Sequence, residues 1–181
     1  MSKNYRGYKH SKKPSGKGKT GHKASVWGIH AVKEAWGNPA RTIKTLYITA
    51  QNLENFQEQL ENAHDLTRPQ PTVMDKKEID RLVPAGAVHQ GIAMDAAPLE
   101  EVFIQDVIIR TANNDGAVLL MLDKVTDPHN VGAIMRSACA FGADGIIMQR
   151  RHAPELAGVL LNTACGAAEH IPLTYEIKVS N

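Results

Sequence analysis

Residues 119–147, LLMLDKVTDPHNVGAIMRSACAFGADGII, constrain the fold more than any other part of the 181-residue chain. Residues 118–122 are apolar throughout, which suits a strand covered by helices on both faces, as in a parallel α/β sheet. A crossover helix should follow. Val131, Ile134, Met135, Ala138 and Cys139 recur at the i, i+3, i+4, i+7, i+8 spacing of a core-facing stripe, and Gly142 stands where the helix should stop. Arg136 falls off that stripe. At roughly 100° per residue it lies about 140° around the helix from Val131, so its guanidinium is expected in the groove above the sheet and not in the core. Asp127, Pro128, His129 and Asn130 make the connection at the carboxyl end of the strand, where open α/β sheets place their ligands. By residue type alone these positions also read blandly: an Asp-Pro turn, an asparagine N-cap and a solvated arginine.

The rest of the chain alternates in the same manner. The patterning predicts a helix over 29–36, a strand over 45–49, a helix over 53–63, a strand over 72–74, a helix over 76–82 and a strand over 89–94. That is a compact α/β domain spanning residues 26–96. A short helix within 100–110 and the turn signal Asn113-Asn114-Asp115-Gly116 mark a linker over 97–117, and a second α/β unit occupies 118–181 with strands at 118–125, 145–149 and 171–177. With 43% hydrophobic residues the chain can bury a core. No run of about 18 apolar residues offers a membrane span, and the charged N-terminus has no apolar stretch behind it to serve as a secretory signal. Cys139 and Cys165 have no C-x-x-C spacing for a metal or redox pair, so no metal is expected and a reducing cytoplasm is the default compartment.

Asp127-Pro128-His129-Asn130-Val131-Gly132-Ala133-Ile134-Met135-Arg136 closely resembles motif 1 of the SpoU (TrmH) branch of the SPOUT methyltransferases. Ala164-Cys165-Gly166-Ala167-Ala168-Glu169, followed by His170-Ile171-Pro172, is similar to that family's second, small-residue motif ending in glutamate. Upstream, Val26-Trp27-Gly28-Ile29-His30-Ala31-Val32 resembles the opening of the family's ribosomal-protein-like substrate-binding domain, and His89-Gln90-Gly91-Ile92 its close. The resemblance covers about residues 26–177. Among family members it is strongest to the bacterial enzymes that methylate a guanosine of 23S rRNA.

The resemblance implies methyl transfer from S-adenosylmethionine to a ribose 2′-hydroxyl in structured RNA. An alcohol is a poor nucleophile until its proton is removed or its developing charge is stabilised. By motif position Arg136 would activate the hydroxyl, Asn130 would hold the turn and the nearby ribose or phosphate, and Glu169 would lie near the catalytic groove. For Glu169 the alternative is a plain carboxylate on a strand-entry loop. A guanidinium with a pKa above about 12 is a weak general base, so electrostatic stabilisation of the alkoxide is the safer role for Arg136. Trp27, His30 and His89 are candidates for RNA contact or, alternatively, for core packing and capping.

The family continues through two further motifs that form its trefoil knot and cofactor pocket. The expectation is therefore the N-terminal half of a SPOUT α/β methyltransferase domain, with the knot-forming part absent and no cofactor-binding residues to name. Such a chain is expected not to bind S-adenosylmethionine measurably by itself, nor to form the dimer that members build from later helices. The enzyme reading thus stands beside a second, a non-catalytic RNA-binding remnant.

Charge is unevenly spread. Lys3, Arg6, Lys9, Lys12, Lys13, Lys17, Lys19 and Lys23 face no acidic residue before position 24, whereas the remainder carries 13 basic against 19 acidic residues. This arm, residues 1–25, is expected to be disordered when free and to bind RNA phosphates by counterion release, with Tyr5 and Tyr8 available to stack on bases; the alternative is a solubilising tail. Gly16, Gly18 and Gly21 satisfy G-x-G-x-x-G, but no strand precedes them, and Gly18-Lys19-Thr20 lacks the earlier glycine of a P-loop because position 13 is Lys13. With no glycine fingerprint after the strand at 118–125 either, a nucleotide-dependent oxidoreductase ranks far below both RNA readings.

Overall fold

A computed structural model describes residues 23–63, 67–113 and 116–176. Two sheets organise them. The first comprises β1 (Val26–Trp27), β2 (Ile43–Ile48), β3 (Thr72–Val73) and β4 (Ile92–Ala96) in the order β1-β4-β2-β3, with β4 antiparallel to both neighbours and β3 parallel to β2. The second comprises β5 (Leu119–Leu122), β6 (Gly145–Gln149) and β7 (Leu173–Glu176), all parallel.

Helix α1 (Ile29–Gly37) buries Ala31, Val32, Ala35 and Trp36. The helix expected over 53–63 is broken into α2 (Ala50–Asn55) and α3 (Gln57–Asn62). The break is at Phe56, whose buried ring meets Trp36 edge-on at 6.0 Å, so tertiary packing overrides the helical run. Helix α4 (Lys76–Ile79) starts at a capping box in which Asp75 and Glu78 exchange side-chain and backbone contacts. The strand expected from position 89 begins at Ile92 instead, because the chain first turns through Gln90 and Gly91, both at positive φ. His89 is buried in that turn; it accepts from Gly91 N–H at Nδ1 (3.1 Å), so Nε2 carries the proton given to Asp80 (2.9 Å). Trp27 is buried and His30 is exposed.

Helix α5 (Ile104–Thr111) precedes the second sheet, and its one buried residue, Val107, lies against Gly145 of β6. Helices α6 (Pro128–Ala140) and α7 (Val159–Ala164) are the two crossovers between parallel strands, and right-handed connections place both on one face of the sheet. The predicted stripe buries Val131, Met135 and Ala138, with Gly132 beside them. Helix α6 ends in a Schellman arrangement, Gly142 at φ 72° with Ala143 N–H on Ala138 O and Gly142 N–H on Cys139 O. One expectation fails here. Strand β5 is not covered on both faces: it is an edge among the described strands, Met121 is 58% exposed, and the flanking Val118, beside α6, is still 53% exposed.

The two sheets share a core. One continuous cluster of buried side chains runs from Val26, Val32 and Trp36 through Leu46 and Met94 to Val131, Met135, Leu160 and Leu173. Helix α1 is the bridge, packing on both α7 and the 3-10 turn Ala167–Glu169. No described helix is long and apolar enough to cross a membrane.

Candidate active site

The first turn of α6 is built by Asp127. Its carboxylate caps the amides of His129 and Asn130, both at 3.3 Å, while Pro128 occupies the first helical position, where no amide is needed. This holds Asn130 exposed at the carboxyl end of β5. Gly132 then sets the spacing of α6 and α7. A Cβ at that position would stand 2.8 Å from Leu160 O and 2.8 Å from Thr163 Cβ, so only glycine lets the two backbones approach this closely.

Two contacts across the α6/α7 seam follow from that approach. His129 Nδ1 lies 3.4 Å from Thr163 Oγ1, and Arg136 Nη1 lies 3.8 Å from Cys165 Sγ. Seven residues bring a helix back to within about 20° of the same direction, so His129 and Arg136 share one face about 10.5 Å apart along the axis. Thr163 gives its hydroxyl proton to Val159 O at 2.9 Å and therefore accepts from His129 Nδ1–H. That tautomer leaves Nε2 as a lone-pair acceptor on an exposed ring. Cys165 reaches Arg136 because it caps α7 in left-handed backbone, φ 52°. The expectation that Arg136 avoids the core is met. Its neighbour on α7 was not visible beforehand.

Glu169 lies elsewhere. Its carboxylate, with 3% of the side chain exposed, sits 3.3 Å from Arg41 Nε and accepts from Asn38 Nδ2 at 2.7 Å; it shares no hydrogen bond or ion pair with Arg136. The Arg41 guanidinium also donates to Ala97 O at 2.8 Å. Burial pushes its pKa below the usual arginine value, and the charge of Glu169 opposes that shift. Arg68 secures the same corner by donating to the carbonyls of Trp36 (2.8 Å), Asn38 (2.7 Å) and Arg41 (3.0 Å), with its guanidinium 5.8 Å from the Trp36 ring centre. His170 Nε2 completes the contact at 2.8 Å from Glu34 Oε2. No periodic pattern marks Arg41 or Arg68, so the sequence reading passed over both; a guanidinium buried among carbonyls becomes apparent only when the fold is known.

The loops after β5 and β6 enclose only a narrow crevice of about 10 Å³, lined by Leu122, Lys124, Val125, Thr126, Met148, Gln149, Arg151, His152 and Ala153. Pockets that enclose cofactors and drug-sized molecules span roughly 300–1,000 Å³. The described residues here therefore do not fit a whole S-adenosylmethionine. No group of three or more described His, Cys, Asp or Glu residues is arranged for a metal. Of the basic arm only Lys23 lies within the described residues, where it is exposed; Lys3, Arg6, Lys9, Lys12, Lys13, Lys17 and Lys19 lie outside them.

Comparisons with known proteins agree with this geometry. Residues 117–180 match the SpoU rRNA Methylase family, and residues 25–102 match the RNA 2′-O ribose methyltransferase substrate binding family. The chain is 34% identical over 158 residues to the 23S rRNA (guanosine-2′-O-)-methyltransferase RlmB of Pasteurella multocida, covering 87% of this chain and 62% of that protein. It is 36% identical over 159 residues to a putative TrmH family tRNA/rRNA methyltransferase of Staphylococcus aureus, covering 86% of this chain and 61% of that one. The chain thus spans about three fifths of the length of these curated relatives. Among solved structures, an AdoMet-bound rRNA methyltransferase from Sinorhizobium meliloti superposes with TM-score 0.64 at 21% identity, covering 84% of this chain and 53% of that one. The SpoU methyltransferase AviRb from Streptomyces viridochromogenes superposes with TM-score 0.61 at 18% identity, covering 85% and 55%. At those identities the superpositions speak for the fold alone.

Proposed function

The chain belongs to the SpoU rRNA methylase family, and from that premise we propose that it serves S-adenosylmethionine-dependent 2′-O-methylation of RNA ribose, with a guanosine of 23S rRNA as the target. The observation that carries this reading is the unbroken run from Asp127 to Arg136, folded as a capped first turn at the carboxyl end of a parallel strand. In this proposal residues 26–96 hold structured RNA, 97–117 link, and 118–181 contribute to the methyltransferase domain, while the basic arm 1–25 adds phosphate contacts in the cytoplasm. When bound, S-adenosylmethionine supplies an electrophilic methyl group.

The chain's own residues act on the RNA side. Arg136, exposed and held only by the Cys165 thiol, keeps its positive charge available to a 2′-oxygen whose negative charge grows as the proton leaves. Asn130 offers its side-chain amide to the ribose or phosphate from the exposed first turn of α6. Glu169 supports this site from a distance, through its ion pair with Arg41.

A second reading, RNA binding without methylation, is favoured by the narrowness of the crevice at the strand ends, about 10 Å³. Incubating the chain with 23S rRNA and methyl-labelled S-adenosylmethionine separates the two. Label on a ribose 2′-oxygen, lost in Arg136→Ala, is the outcome expected of the enzyme. Label on a base, or transfer indifferent to Arg136, overturns it; RNA binding without transfer leaves the second reading.

A further inference from the structure

Several basic side chains of the described residues are already engaged. Arg41, Lys44 and Arg150 each face a carboxylate, and Arg68 is spent on backbone carbonyls. Lys124, Arg151 and His152 have no ion pair or side-chain hydrogen bond among the described residues, yet all three line the cleft between the loops after β5 and β6.

No carboxylate lines that cleft. Thr126 and Gln149 add a hydroxyl and an amide as donors, and Leu122, Val125, Met148 and Ala153 give it an apolar floor, which strengthens any charge interaction made above it. Of the acids in the loop after β5, Asp123 precedes Lys124 without lining the cleft, and Asp127 is occupied by the amides of His129 and Asn130. Both loops turn through a non-glycine residue in left-handed backbone at the rim, Lys124 at φ 58° and His152 at φ 65°. Such residues persist where the surroundings hold them, and they gather at ligand sites. The crevice itself, about 10 Å³, has room for about one water, so a phosphodiester would rest across its rim, on the exposed Lys124 and Arg151.

We propose that the rim of this cleft is a phosphodiester contact site for RNA, with Lys124 and Arg151 as its charged ligands and His152, Thr126 and Gln149 as further donors. The inference rests on the proposed RNA substrate and adds the place where the strand is gripped. From Lys124 the loop runs through Asp127 into the first turn of α6, which carries Asn130, so a phosphate held here lies on the same loop as the motif's helix start. Arginine suits the task because its planar fork can hold two phosphate oxygens at once.

The test is the salt dependence of binding of a structured 23S rRNA hairpin to the full chain, compared with Lys124→Asn, Arg151→Gln and the double variant. Asparagine tolerates the left-handed backbone at 124, so the change removes charge without adding strain. Each single variant is expected to lower the slope of log K against log salt by about 0.7 to 0.9, with a roughly fivefold loss of affinity near physiological salt, and the double variant by about twice that slope. Arg110→Gln, an exposed arginine of α5 within the linker, should leave the slope unchanged. If the unaltered chain binds and the double variant keeps its slope, the subsite is overturned while the RNA reading stands. If the unaltered chain shows no salt-dependent RNA binding, the RNA reading itself falls and the subsite with it. If the double variant loses affinity for S-adenosylmethionine with the RNA slope intact, the cleft serves the cofactor's carboxylate and the proposal is likewise overturned.

Discussion

Arg41 and Arg136 carry the same charged group in opposite circumstances. Arg41 is buried, with 2% of its side chain exposed, and meets a carboxylate with 3% exposed. Arg136 is exposed and rests on the Cys165 sulfur at 3.8 Å. A guanidinium answered by a buried carboxylate has its electrostatic work done before any ligand arrives. One left against a weak acceptor keeps its field for an incoming anion. The corner around Arg41 and Glu169 therefore reads as structure, and the α6/α7 face as a place for chemistry.

The largest expected effect breaks the structural side of that contrast. Glu169→Ala strands the Arg41 charge in the interior and should lower stability by about 3 kcal/mol or more, measured by urea denaturation. A loss below about 1 kcal/mol would mean that water reaches the corner and that the pair is no different from a surface bridge. The chemical side is tested by Arg136→Ala. It should leave the denaturation midpoint nearly unchanged, within about 0.5 kcal/mol, while methyl transfer to RNA falls by roughly 100-fold. Equal losses of stability and transfer would erase the distinction between the two arginines.

Gly132→Ala tests the seam between the regions. The added methyl meets Leu160 O and Thr163 Cβ at 2.8 Å, so α6 and α7 must part, at a cost of about 1–3 kcal/mol. Transfer should fall further than stability alone explains, because Thr163 and Cys165 both withdraw from α6. The smallest effect concerns Tyr175. Burial, reinforced by Glu101, pushes its phenol up to about 12 from an ordinary value near 10, against the opposing pull of Arg150. Its raised folded value means that the unfolded chain ionises first, so this contribution is fully present below pH about 10 and is lost as the pH rises through about 12. Spectrophotometric titration should show a late phenol that disappears in Tyr175→Phe; if that variant removes only a phenol titrating near pH 10, the Tyr175 ring is more open to water than its neighbours suggest.

Much of α6 was legible in advance because its signals are local. Asp127 caps, Pro128 starts, the apolar stripe faces inward and Gly142 stops, all within one stretch of chain. The division of 53–63 into two helices was not legible, since Phe56 turns inward to meet Trp36, twenty residues earlier. Glu169 shows the limit most plainly. Its place in a motif suggested a groove, but its carboxylate meets Arg41 and Asn38, more than a hundred residues away in the chain.

By itself the sequence determined the parallel strand-helix-strand unit, the off-core direction of Arg136, and the family through the run from Asp127 to Arg136, since periodicity, capping and motif order are written in neighbouring residues. Only the tertiary structure decided which charges are answered and which are free: Arg41 closed by Glu169, Arg136 beside Cys165, and Lys124, Arg151 and His152 unpaired around one cleft. The physical reason is that a charge's function depends on its partners and on its access to water. Both are set by chain segments far apart in sequence that only the shared core of the two sheets brings together.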